Sequence, residues 1–247
     1  MKNWKLIFED QFDGDCLDRS VWTVETGFLR NGEPQCFTDR PENLFVKDSC
    51  LHIRTLREQY RGAEYTSASI TTGRTLGFTY GRLEMRAKLP RSRALWPAFW
   101  TLGSCYYRQG VNWPLCGEID IMEMTGGAGM RDYQAIPAVH WLSKETGEHA
   151  IAGGRDHLYT HHRPLCEDFH VYAVEWDAKS MTFCFDDLVI FQCPITPDMQ
   201  GAFDRPHSII LNTSLEHWDE HTYPNEDTDL PQDYVIDYVR VYQKENP

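Results

Sequence analysis

A chain of 247 residues, 41% hydrophobic and 13% aromatic, has room for one large domain with a sizeable core and little room for a second. The formal net charge of −13 excludes the basic footprint that nucleic-acid binding needs, and it disfavours a strongly anionic substrate. No apolar run approaches about 18 residues, so no membrane-spanning segment and no membrane partner are expected.

The opening, "MKNWKLIFED", lacks a signal-peptide core. The expectation is a protein that stays inside the cell, or a secreted one whose export signal has been removed. Short alternating runs then recur to the end of the chain: "KLIFEDQF", "NLFVKD", "CLHIRTL", "SASITTG", "GRLEMRAKL", "GEIDIMEM", "AIPAVHWL", "FHVYAVEW", "MTFCFDD", "LVIFQCPI", "HSIILNTSL" and "YVIDYVRVY". Turn residues separate them, and Asp186-Asp187 reads as a tight hairpin. No stretch of helical period is long enough for a βαβ unit. The pattern predicts an all-β fold, a sandwich of two antiparallel sheets. There is no internal repeat, linker or appended module, so residues 1–247 read as a single domain.

Several features carry little chemistry. The basic run holding Arg82, Arg86, Lys88, Arg91 and Arg93 reads as a solvated face and loop. The eight cysteines form no CxxC pair, so neither a zinc ribbon nor a thioredoxin motif is suggested, and their even number permits disulfides without showing them. His157, His161 and His162, and likewise His217 and His221, have metal-compatible spacing but lie in polar, loop-like sequence. "TGGAGM" lacks the Lys-Ser/Thr of a phosphate loop and reads as a turn.

The chemistry concentrates in "GEIDIMEM". Glu118 and Asp120 share a strand face, whereas strict alternation sends Glu123 into the core among the isoleucines. An unpaired carboxylate there is costly. One extra residue, a β-bulge near Ile121–Met122, restores Glu123 to the face of the other two. Three close carboxylates titrate as a coupled set, and at least one must hold its proton above the ordinary range. A protonated acid beside an ionised carboxylate is what glycosidic cleavage requires, and a separation of about 5–5.5 Å gives the retaining route.

Here the chain resembles glycoside hydrolase family 16, in its laminarinase-like branch. "EIDIME" matches the Glu-x-Asp-x-x-Glu signature, and "NGEPQ", "YGRLEMRAKLP", "LWPAFWTLG", "VHW", "DFHVYAVEW" and "DYVRVYQ" follow in the family's order. The resemblance implies a β-jelly-roll sandwich with a concave substrate cleft and a retaining endo-β-glycanase acting on β-1,3-glucan. Activity on a galactose-containing glycan and a non-catalytic glucan-binding sandwich stand as alternatives. It makes Glu118 the nucleophile and Glu123 the general acid/base, with Asp120 positioning and tuning between them. Asn31, Arg74, Trp96, Trp100, Trp113, His140 and Trp218 would contact sugar. No cofactor is needed for catalysis, the partner is a poly- or oligosaccharide, and a monomer is expected. Three departures bear on substrate choice: Trp218 stands in a loop without the usual glycines, Arg91 and Arg93 replace glycine, and Cys36 replaces an aromatic, all in segments expected near the cleft rim.

The last strand raises one more question. By parity Asp237 shares a face with Val235, Val239 and Val241 and so needs a partner. A salt bridge is one solution. The other, implied by the resemblance, is a structural calcium held by Asp237 with backbone carbonyls near Glu9 and Asp48–Ser49.

Overall fold

The computed structural model describes residues 4–30, 32–127, 129–217 and 222–245. In chain order the strands are β1 (Trp4–Asp10), β2 (Thr23–Glu25), β3 (Gln35–Phe37), β4 (Leu44–Lys47), β5 (Cys50–Tyr60), β6 (Ala63–Ser67), β7 (Ser69–Thr71), β8 (Gly81–Lys88) and β9 (Leu95–Gly103). A short helix, α1 (Cys105–Gln109), precedes β10 (Glu118–Glu123), β11 (Gln134–Leu142), β12 (His149–Gly153), β13 (Tyr159–Thr160) and β14 (His170–Trp176). The remainder are β15 (Ser180–Phe185), β16 (Leu188–Pro194), β17 (His207–Leu215) and β18 (Gln232–Lys244).

They form the expected two sheets. One runs β12-β11-β10-β9-β17-β7-β2, with β13 against β11; the other runs β16-β15-β14-β8-β18-β5-β6-β3, with β1 on β18 and β4 on β5. Pairing is antiparallel except between β3 and β6. Alternation in sequence becomes alternation in burial. Leu83, Met85, Val174 and Phe183 from one sheet meet Phe99, Ile119, Ile209 and Leu211 from the other in the central core. Each such side chain contributes about 1.5–3 kcal/mol when fully buried. Asp186 turns the predicted hairpin between β15 and β16 with a positive φ of 51°.

The opposite face of the site-bearing sheet is less apolar. Ala98, Trp100, Leu102 and Ile210 form a separate small cluster there with Cys105 and Cys116. All eight cysteines are free, and Cys36 is buried rather than on a cleft rim.

The parity assumed for the last strand does not hold. The register of β18 against β8 slips between Ile236 and Tyr238. Tyr234 and Ile236 are buried before the slip, and Val239 and Val241 after it. Asp237 occupies the irregular position, so it does not share the buried face of Val239 and Val241. Its Oδ2 accepts a hydrogen bond from Arg86 Nη1 at 2.5 Å. Glu9 is likewise bound, by Arg240 Nε at 2.5 Å. Asp48 and Ser49, with φ of 53° and 54°, form the two-residue turn that joins β4 to β5. Asp237, the one side-chain ligand of the implied calcium, is thus already paired with Arg86.

Candidate active site

β10 is the site's backbone, and its irregularity is the one the acidic spacing predicts. Against β9, Asp120 pairs with Trp100 and Met122 with Phe99, so two steps on β10 match one on β9. Against β11, Asp120 pairs with Ala138 and Glu123 with Ile136, again one residue in excess. The extra residue lets both Ile121 and Met122 enter the core, at 2% and 0% exposure. Glu123 is thereby turned to the outer face, where it lines one pocket with Glu118 and Asp120.

That pocket, about 300 Å³, also holds Trp96, Trp100, Trp113, Arg30, Glu33, Asn212 and Ser214. Trp96 and Glu123 are shared with a second hollow lined by His140, Ile151, Arg155 and Glu216. At the other end, Leu29, Arg30 and Glu33 lead into a third, bounded by Phe28, Tyr65 and Tyr223. The three hollows form a continuous groove with the carboxylates inside its length. Among the described residues, six of the twelve large apolar side chains that remain exposed, namely Phe28, Leu29, Tyr106, Trp113, Ile151 and Tyr223, line it. Core packing does not account for them; flat apolar platforms beside convergent polar groups are the composition of a ligand groove.

Burial raises the proton affinity of all three acids. Glu118 is pushed well above its ordinary range, first by burial and then by the negative charge of Asp120. Asp120 is pushed well above by burial and then by Glu123. Glu123 is raised by burial, while the Trp96 hydrogen bond and the charges of His140 and Arg155 pull the other way. Trp96 Nε1 donates to Glu123 Oε1 at 2.7 Å. That indole fixes one carboxylate oxygen and leaves Oε2 to carry a transferable proton.

His140, on β11 beside Glu118 in register, places Nε2 3.2 Å from Asp120 Oδ2 and 3.9 Å from Glu118 Oε1. On its other side Nδ1 lies 2.8 Å from His149 Nε2. Trp100 is 8% exposed at the groove floor, its Nε1 donating to Asn212 Oδ1 at 2.7 Å. Trp113 is 44% exposed, with its ring 4.6 Å from that of His149.

Two expected contacts, Asn31 and Trp218, lie outside the described residues. Arg74 is exposed in the turn after β7 and lines none of the three hollows. The arginine that lines the hollow holding the three acids is Arg30, ion-paired with Glu25 and lying over the Trp100 ring at 5.1 Å. Sequence reasoning also missed Glu33, Asn212 and Ser214. Ser214 Oγ donates to Glu33 Oε2 at 2.9 Å and accepts from Asn212 Nδ2 at 3.0 Å. The signal was present: "SIILNTSL" puts Asn212 and Ser214 on one parity, directly after the apolar Ile209–Leu211. Arg155 and Glu216, paired at 2.6 Å, carried no such signal, because 61 residues and five strands separate them in the chain.

The family model for glycosyl hydrolases family 16 matches residues 34–240. The chain belongs to this family. It is 30% identical over 270 residues to a glucan endo-1,3-beta-glucosidase A1 of Niallia circulans, a match covering 97% of this chain and 38% of that protein. The chain thus spans well under half of that relative's length. It is 33% identical to a beta-glucanase of Rhodothermus marinus over 98% of this chain and 86% of that one. Among solved structures it superimposes with a TM-score of 0.87 and 30% identity, over 99% of this chain and 92% of the other. That structure comes from work on endo-acting O-glycanases with which human gut microbiota initiate mucin breakdown. The family's jelly-roll sandwich is the architecture described above.

Proposed function

We propose that this chain is the single catalytic domain, acting as a monomer, of a retaining endo-β-glycanase that cleaves internal β-1,3 linkages of glucan, including mixed β-1,3/1,4 glucan. The observation that carries the reading is the bulge in β10, which puts Glu118, Asp120 and Glu123 on one face inside a groove that continues past them on both sides. A groove with chain-binding surface on either side of the acids suits cleavage within a polymer.

In this reading Glu118 attacks the anomeric carbon while Glu123 delivers the proton on Oε2 to the departing glycosidic oxygen. Glu123, now ionised, then takes a proton from the water that attacks the glycosyl-enzyme. The Trp96 hydrogen bond stabilises Glu123 as a carboxylate between the two steps, and burial keeps its protonated form available for the first. Asp120, 2% exposed and between the two glutamates, holds the set at a net charge low enough for Glu118 to ionise alone. No cofactor takes part in the chemistry, and Asp237, far from it on the other sheet, is paired with Arg86.

Relatives named as a glucan endo-1,3-beta-glucosidase and a beta-glucanase support glucan as the substrate. The high structural likeness to an endo-acting O-glycanase study supports the second reading, cleavage within a galactose-containing glycan. Incubation with laminarin, mixed-linkage glucan, agarose and mucin O-glycans, with new reducing ends counted, separates the readings. Release from laminarin alone or with mixed-linkage glucan is the expected result. Release only from the galactose-containing substrates overturns the glucan assignment, and binding without release overturns the enzyme.

A further inference from the structure

His140 is placed in a way that the hydrolytic reaction does not require. Its Nε2 lies 3.2 Å from Asp120 Oδ2 and 3.9 Å from Glu118 Oε1, and the three groups each offer one ligand atom within 4.8 Å of the others. Asp120 Oδ2 is buried, on a residue 2% exposed, with no hydrogen bond of acceptable geometry among the described residues. An oxygen left in that state is costly, and it is aimed into the space between His140 and Glu118. On the far side, His140 Nδ1 meets His149 Nε2 at 2.8 Å. When Nδ1–H donates to His149, the Nε2 lone pair faces two carboxylates, and only a proton or a cation relieves that arrangement.

We propose that Glu118, Asp120 and His140 form a zinc-type divalent metal site inside the groove, with His149 orienting the imidazole, and that an occupied site excludes sugar. Tetrahedral zinc with arms of about 2.0–2.2 Å to nitrogen and oxygen sets its ligand atoms about 3.3–3.6 Å apart. The observed 3.2 and 3.9 Å bracket that range, and the third pair, Glu118 with Asp120, lies within 4.8 Å. Two carboxylates and one imidazole leave the fourth position open toward the groove, and this donor set suits zinc better than calcium or magnesium, which take oxygen ligands in larger number. A ligating histidine commonly donates its second N–H to an acceptor that fixes its tautomer and ring orientation, and His149 Nε2 stands at that place. The ring of His149 is itself held, 4.6 Å from Trp113 and stacked on His140 at 5.1 Å.

The test is direct zinc binding by equilibrium dialysis at neutral pH on the full chain, which needs no activity and so does not depend on the glycanase reading. One zinc per chain is expected. His149→Phe, which keeps a ring against Trp113, should weaken binding about 10- to 100-fold, the range for loss of such an orienting partner. His140→Ala and Glu118→Gln should weaken it at least as far, with thermal melts showing each variant folded. If His140→Ala melts early, His149→Phe and Glu118→Gln decide the matter. Cobalt in place of zinc should show no thiolate charge-transfer band, which separates this site from the cysteines. If laminarin is cleaved, zinc should inhibit competitively and lose potency in His149→Phe by the same factor as binding. Zinc affinity unchanged in the folded variants, a thiolate band, or no retention at millimolar metal each overturns the proposal.

Discussion

Glu123→Gln is the most informative single change. The carboxamide keeps the size of the side chain and an oxygen to accept the Trp96 Nε1 bond at 2.7 Å, so the groove and β10 stay in place. What is lost is the proton on the other oxygen. General acid catalysis contributes about 10²–10⁴-fold, or about 3–5 kcal/mol of barrier. Laminarin has a poor leaving group and needs the whole of that term; a 2,4-dinitrophenyl β-glycoside needs almost none of it for glycosylation. With laminarin, kcat should fall by the full factor. With the activated glycoside, stopped-flow absorbance should show a burst of dinitrophenol followed by slow turnover, because the base for the second step is also gone. Added azide, which needs no general base, should restore turnover and give a β-glycosyl azide. An equal loss on both substrates, with no burst and no azide rescue, would refute the assignment of Glu123 as acid/base.

Glu118→Gln should abolish hydrolysis of both substrates while oligosaccharide binding persists by calorimetry; near wild-type turnover would remove it as the nucleophile. Early products followed by NMR should appear as the β-anomer, and initial α-product would mean inversion and a carboxyl separation of about 6.5–9.5 Å. Asp120→Asn should stabilise the protein at neutral pH. Burial raises the folded-state affinity of Asp120 for its proton above that of the unfolded chain, so its contribution worsens as pH rises from about 4, the unfolded value, through the folded one. Melts of wild type and variant should therefore coincide near pH 4 and separate in the variant's favour toward pH 8, by about 1.4 kcal/mol for each tenfold gain in affinity; a gap that closes with rising pH contradicts the burial argument. Chelator should leave the melting temperature unchanged, and Asp237→Asn should lower it modestly by releasing Arg86; a chelator-sensitive melt would restore the calcium.

How much of this was legible without coordinates differs between two bulges of the same kind. In β10 the sequence contains its own contradiction: alternation buries Glu123, charge forbids it, and one extra residue is the cheapest escape. The fold class and the shared face of the three acids follow from patterns a few residues long, whereas Trp96, Trp100 and Trp113 were placed at the cleft by the family resemblance. In β18 the same logic applied to Asp237 pointed to a partner, but not to the register slip, because a salt bridge satisfies a carboxylate as well as a change of face does. There the choice lay with Arg86, on a neighbouring strand about 150 residues earlier in the chain.

Local sequence therefore determined most of the strands, though not the short β2, β3, β12 and β13, and that three carboxylates must share one surface, since period and the cost of buried charge act within a single strand; in β18 it did not fix the buried face past the slip. Tertiary structure alone decided which groups from other strands meet them. Arg30 in place of Arg74, the Glu33–Ser214–Asn212 chain, the Arg155–Glu216 pair and the contact of His149 with His140 all join residues through sheet register and loop packing. A one-residue change of register would put different side chains together, and no single segment encodes that register.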